Sequence, residues 1–226
     1  MASYQPRNHR FCPSQEGSPA ERRAQTRAAY EAWLARTKPE VTLTWRDDEG
    51  DVTARVTADT ATADLVVMRN PAHLDGRDAF HSVLFNSRRL LLVAPPDPLP
   101  VRPVIGRHMV VGWKPGPPAE RAVRGAAPWL RKAAHVSVFC VRLPDRASYL
   151  NSARAMLAEI GVAAEPGVVE REGQSVGGQL LVEAKRLGGD SLVIGAFHRG
   201  ALLRTILGGV TRDVLADLRL PVFMHC

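Results

Sequence analysis

The stretch IGAFHRGALLRTILGGVT (194–211) sets Gly195 and Gly208 on either side of His198, Arg199 and Arg204. Residues of these types suit an anion. A glycine can reach φ > 0 and bring backbone N–H groups against oxygens that a β-carbon would hold off, and a helix starting just beyond adds the positive end of its dipole. Arg199 and His198 supply further charge and donors. The separation of thirteen positions between Gly195 and Gly208 fits none of the common phosphate fingerprints.

No other grouping offers chemistry at a recognisable spacing. His225 and Cys226 are neighbours on an apolar run, so their side chains face opposite ways, and they read as the close of a strand rather than a soft-metal pair. Cys140 lies inside HVSVFCVRL with no cation adjacent in sequence and reads as a packed thiol. His108 and His135 flank strand starts, Trp113 reads as a core residue at a strand end, and Asp190 as a turn or cap residue. Paired carboxylates, a Ser-His-Asp set and metal-spaced histidines are all missing from the pattern, so no enzyme is expected.

The elements that must hold the glycine-rich stretch follow from the alternation of apolar runs and amphipathic segments. From Arg107 the runs 107–113, 135–143, 164–171, 190–195 and 220–226 read as strands, the third of them weak. Between them, 118–132, 145–161, 175–188 and 209–218 read as helices, opened by prolines or cap residues and closed at glycines. Strands so uniformly apolar need cover on both faces, which means a parallel sheet between two helical layers. In such sheets a ligand sits beyond the carboxyl ends of the strands where the strand order reverses. The loops after the first and fourth strands are therefore the places for a site.

Composition narrows the class of protein. A chain of 226 residues with 45% hydrophobic residues can bury a substantial core. No apolar run approaches the ~18 residues that span a bilayer, and no basic segment followed by an apolar one opens the sequence. Three cysteines, Cys12, Cys140 and Cys226, lack CxxC spacing and fit a reducing compartment, so a cytoplasmic protein is expected. The net charge of +7 is uneven, with 16 Lys+Arg against 10 Asp+Glu in 107–226. That excess invites an anionic partner such as a nucleotide. The basic residues are scattered and not interleaved with aromatics, which argues against nucleic acid.

The first half repeats part of this pattern. Residues 18–37 read as a helix with a serine cap, 40–46 as a strand, and ADLVVMRNP (63–71) parallels GDSLVIGAF (189–197). AFHSVLFNSRRLLLVAPP (79–96) parallels the segment that ends LRLPVFMHC, with a shorter helix. The expected organisation is a flexible arm (1–17), a truncated repeat (18–96), a stiff proline-rich linker (97–106) and a complete domain (107–226). The truncated copy lacks its first strand, first helix and second strand. Its short strands at 40–46, 64–68 and 89–94 have too little core of their own. They are expected to extend the second sheet across its fifth-strand edge or to meet another chain's edge, as a homodimer would.

With the two copies aligned, the chain resembles a tandem member of the universal stress protein family. DSLVIGAFHRGALLRTILGGVTRDVLADLRLPVFMHC resembles the family's Gly-x-x-Gly, nine residues, Gly-Ser/Thr motif with its Val-Thr and its Leu-Pro-Val strand, and HMVVGWKPGPPAERAV resembles the opening strand and helix. The resemblance implies a flavodoxin-like, doubly wound parallel sheet of order 3-2-1-4-5 with a partial second copy of the same unit. It implies a role in bacterial stress response as a sensor or regulatory module, acting through a protein partner. Some members bind ATP or a related adenine nucleotide with Mg²⁺, and others bind none.

Residue by residue, the resemblance places Gly195, Gly208, Val210 and Thr211 on matching positions, His198 on the second glycine and Gly209 on the Ser/Thr. Lys114 stands where the family holds adenine with a carboxylate, and a lysine cannot accept that hydrogen bond. Val141 and Ile194 fall where apolar walls would stand. Two readings follow. In one, Lys114, His198 and Arg199 replace lost contacts by charge and the pocket still takes an anionic nucleotide. In the other, the pocket is a relic in an interaction protein, and glycine remains to let the loop turn and the helix pack. ATP hydrolysis is a third, weaker reading, for which the sequence offers no general base. No nucleotide is expected in the first copy, where Arg69, Asn70 and Pro71 replace the glycine region.

Overall fold

The computed structural model describes residues 18–70, 74–96, 105–141, 146–167, 169, 175–196 and 209–226. The arm at 1–17 and most of the proline-rich linker lie outside the described residues. The chain divides into two compact units, Met1–Glu49 and Gly50–Cys226.

The described part of the first unit is helix α1 (Pro19–Thr37) and the segment that follows it. Ser18 caps α1 in a reciprocal capping box with Glu21, and Pro19 supplies a preset φ in the first turn. Lys38 ends the helix in the left-handed region, at φ 45°. The chain then doubles back: Trp45 packs 4.9 Å from Tyr30, the Arg27 guanidinium lies 5.1 Å above the Trp45 ring, and Arg23 pairs with Asp47 at 3.2 Å. Residues 40–46 are not a strand, contrary to the alternation of VTLTW. Strand formation needs a neighbouring edge for its N–H and C=O groups, and no described strand lies in this unit to offer one.

The second unit runs α2 (Val52–Thr60), β1 (Val66–Arg69), α3 (Leu74–His81), β2 (Leu91–Ala94), β3 (His108–Gly112), α4 (Pro117–Leu130), β4 (His135–Phe139), α5 (Arg146–Glu159), β5 (Glu165–Pro166), α6 (Val176–Arg186), β6 (Ser191–Gly195), α7 (Gly209–Ala216) and β7 (Val222–His225). A π-helical turn, Ser82–Ser87, continues α3. All seven strands form one sheet in the order β1-β2-β7-β6-β3-β4-β5. The last five, read from β5, have the flavodoxin-like order 3-2-1-4-5, each parallel to its neighbours.

Alternation along each strand divides the core between the faces. Val110, Ile194 and Met224 point to the side of α6 and α7, and Met109, Val111, Val193 and Phe223 to the side of α4 and α5. Both faces of the central strands are buried, as a doubly wound sheet requires.

β1 and β2 extend this sheet across the β7 edge. β2 pairs antiparallel with β7 through Leu91 with Met224, Leu92 with Phe223 and Val93 with Val222, a register symmetric about Leu92 and Phe223. On either side of that line the pairing repeats. Val66 to Arg69 stand beside Leu91 to Ala94 as Leu192 to Gly195 stand beside Val222 to His225. The flanking hydrogen bonds repeat as well: Val66 N donates to Leu90 O at 2.9 Å and Leu192 N to Pro221 O at 3.0 Å, while Asn70 N donates to Ala94 O and Ala196 N to His225 O.

Asp190 fixes the entry to β3. Its carboxylate accepts the N–H groups of Gly106, Arg107 and His108, each at 2.8 Å, and so ties the start of β3 to that of β6. His108 is drawn in with it, its Nε2 lying 2.9 Å from Ser137 Oγ. Replacing Asp190 with Ala is expected to lower unfolding free energy by about 2 kcal/mol, since charge-assisted bonds contribute about 1.5–3 kcal/mol and water can reach part of this turn. Asp190→Asn, with one acceptor oxygen in place of two, is expected to fall between them. Urea denaturation of the three proteins checks the order.

Candidate functional site

Strand order reverses between β3 and β6. The connection leaving β3 becomes α4 on one face, and the one leaving β6 leads to α7 on the other. The crevice between those exits is where an open α/β sheet presents backbone N–H groups to a ligand.

Lys114 lies two residues beyond β3 and is exposed at this edge. Trp113, just before it, is buried; its backbone N–H donates to Phe139 O at 2.8 Å and its indole N–H to Ser152 Oγ at 3.2 Å, which fixes the ring in the core. Ile194 and Val141 are 3% and 8% exposed and belong to the apolar cluster under α6 and α7. They support the floor of the crevice more than they line it. Gly209 opens α7 and is exposed, Val210 is half-buried, and Thr211 is 1% exposed. His198, Arg199 and Gly208 lie outside the described residues.

Gly195 has a different purpose from the one its place in the motif suggests. Its φ is not positive, unlike that of Gly106, Gly116, Gly161 or Gly188. What it permits is close approach: a β-carbon there would stand 2.6 Å from Ala119 N and 2.8 Å from Pro118 C, so the first turn of α4 rests directly on the end of β6. A second glycine, Gly177 in α6, does the same for α7, since a β-carbon would lie 2.7 Å from Val210 O and 2.6 Å from Asp213 Cβ. The reading of the sequence did not single out Gly177. Its signal is the Gly177-Gly178 pair early in a helix, where glycine is costly unless packing demands it. Between them the two glycines seat the starts of α4 and α7 at one edge of the sheet.

The residues present fit the phosphate end of a nucleotide better than its base. Lys114 is an exposed cation, and among the described residues a β-carbon on Gly209 would meet nothing within 4 Å. An adenine contact through a carboxylate at the end of β3 has no counterpart, because Lys114 occupies that place. Among the described residues no cluster of three or more His, Cys, Asp or Glu side chains could hold a metal ion. The sheet and its crevice define a flavodoxin-like α/β protein with its ligand edge at the switch point.

That architecture is the universal stress protein fold. The universal stress protein from Archaeoglobus fulgidus DSM 4304 superposes with a TM-score of 0.64 over 90% of this chain and 76% of its own, at 13% identity. A functionally unknown protein from Pseudomonas aeruginosa PAO1 gives 0.50 over 88% of this chain and 76% of its own, at 16% identity. Another universal stress protein from Archaeoglobus fulgidus is 25% identical over 52% of this chain and 92% of its own, with a TM-score of 0.43. No protein-family model matches the sequence, and no curated protein matches it. No helix among the described residues is long and apolar enough to cross a membrane.

The packing of Gly195 gives a clear expectation. Gly195→Ala forces a methyl group into the α4 backbone, which cannot yield as a side chain would, and is expected to cost about 1–3 kcal/mol. Gly209→Ala, facing open space, is expected to stay within about 0.5 kcal/mol of the unchanged protein. Denaturant midpoints at constant m value separate the two.

Proposed function

We propose that this protein is a universal stress protein of tandem descent that serves as a regulatory module in a bacterial stress response, with an adenine nucleotide held at its β3–β6 crevice. The observation that carries the nucleotide is an exposed lysine, Lys114, and the exposed start of α7 at Gly209, each following a strand that flanks the switch point of the sheet. Lys114 would meet the phosphates as a point charge, and the backbone of Gly209 and Val210 would donate to them. Mg²⁺ would enter with the nucleotide rather than on a resident set of carboxylates. No catalytic step is assigned. Tandem descent is supported by the repeated register and hydrogen bonding of β1–β2 and β6–β7. Self-association through a sheet edge, expected from the shortened first copy, would use the outer edge of β1 or of β5, because β2 occupies that of β7.

A second reading, an interaction protein with a degenerate pocket, is favoured by the burial of Val141 and Ile194 and by the packing role of Gly195. Calorimetric titration with ATP and Mg²⁺ decides between them. Saturable binding that Lys114→Ala weakens by about tenfold, one charge-assisted contact, is the expected result. Absence of saturation at millimolar nucleotide would assign the protein to the second reading.

A further inference from the structure

The pair β1–β2 repeats β6–β7, but its cover does not. α4 packs over β6 and β7 through residues such as Val123 and Ala126, in one cluster with Val193 and Phe223. Within the Gly50–Cys226 unit no described helix lies over the corresponding face of β1, where Val67, the counterpart of Val193, is 61% exposed. The flank of α4 and the start of β2 therefore form the walls of an open groove. Leu90 closes its base against α4, since a β-carbon on Gly125 would lie 3.3 Å from Leu90 Cδ1.

This groove encloses about 550 Å³ and is lined by four arginines: Arg88 and Arg89 from the turn before β2, and Arg121 and Arg124 from α4. The two on α4 are three positions apart and so share one helix face. Asp64 is the single carboxylate in the lining. Existing partners use only part of the donor capacity. Arg121 Nε donates to Cys226 O, Arg89 Nη2 donates to Ala61 O, and Arg124 pairs with Glu159 at 3.0 Å across exposed surface. Arg89 Nε is buried without a hydrogen-bond partner. His225 also lines the groove, and burial, with Arg121 and Arg88 nearby, holds its imidazole below the ordinary value. It therefore adds little charge at neutral pH.

Four arginines line this one small cavity and concentrate positive charge there, against Asp64 in the lining and Glu159 beside Arg124. Guanidinium forks match oxoanions bidentately, and the donors that these contacts leave over exceed what the two carboxylates use. The volume lies within the ~300–1,000 Å³ of small-molecule sites. Trp129 forms an aromatic wall, braced by Phe223 at 5.7 Å. We propose that the groove between α4 and the start of β2 is a binding site for a small molecule carrying a di- or triphosphate group, separate from the β3–β6 crevice. The phosphates lie between Arg88 and Arg89 on one side and Arg121 and Arg124 on the other.

The full chain is titrated calorimetrically with sodium tripolyphosphate at low ionic strength. The comparison proteins are Arg88→Gly with Arg124→Gln, and Lys114→Ala. Arg88 sits at φ 52°, which glycine adopts without strain, and Arg124 is exposed, so the double variant is expected to fold; its circular dichroism melt checks that. The expected result is saturable binding that the double variant weakens at least about tenfold, and more than Lys114→Ala does. Absence of saturation in the unchanged protein, or binding by the folded double variant within twofold of it, would overturn the site. Loss through Lys114→Ala alone would place the phosphates at the crevice and overturn it equally. An ATP arm identifies the source: displacement of tripolyphosphate by ATP, lost in the double variant, gives a nucleotide, and no displacement gives free oligophosphate. Because the variants separate the two sites, failure of the nucleotide reading at the crevice leaves this result intact.

Discussion

The antiparallel junction of β2 and β7 is the constraint on which the rest of the second unit depends. A four-residue parallel pair such as β1–β2 cannot stand alone in water, because it buries too little apolar surface to offset the entropy of ordering it. Joined to β7, it sends Leu91 and Val93 into the same cluster as Val222 and Met224. β7 gains equally: a buried parallel strand that would otherwise expose a row of unpaired backbone groups becomes internal. The junction brings two sheets that each run parallel into one sheet with a single reversal of direction.

Inside the larger half, the ligand edge depends on two close approaches. Gly195 lets α4 start at the end of β6, and Gly177 lets α6 press on the beginning of α7. Asp190 secures the opposite end of β3 by taking three backbone N–H groups. The crevice is thus framed by backbone contacts that no side chain at its mouth supplies. Gly195 serves geometry at one remove, by setting where the start of α4 lies.

The helices and strands from Arg107 onward were legible because each signal is local: an apolar run, a proline or serine at a helix start, a glycine after its end. The pairing across the fifth strand was legible because the short strands had no other core to join. One element misled and another went unread. VTLTW at 41–45 has the alternation of a strand, but strand formation also needs a neighbour that local sequence does not report. VTARVTADT at 52–60 receives no element in the reading, since its threonines and valines favour no helix locally; Asp51 caps it by accepting from Ala54 N, and Val56 packs into the core beside the π-helical turn. His198, Arg199 and Gly208 are marked by their residue types as well as by the family resemblance, and they lie outside the described residues. The arginine groove was illegible for another reason: its two pairs are brought together only by the seating of β2 beneath α4.

That groove also explains how an uncovered sheet face is tolerated. An apolar strip left uncovered on β1 and β2 would be a liability in water. Here Leu92 and Leu65 are partly buried against the neighbouring cluster, and Leu90 is lodged under α4. The remaining wall is built from arginines, whose long aliphatic stems can lie along apolar surface while their heads stay in water. One set of side chains therefore solves two problems, shielding the face where a helix is missing and concentrating positive charge there. The first requires only the stems, and one or two charges would keep the face soluble. Four arginines in one lining, set against Asp64 there and Glu159 beside Arg124, exceed that need, and the surplus is what an oxoanion would use.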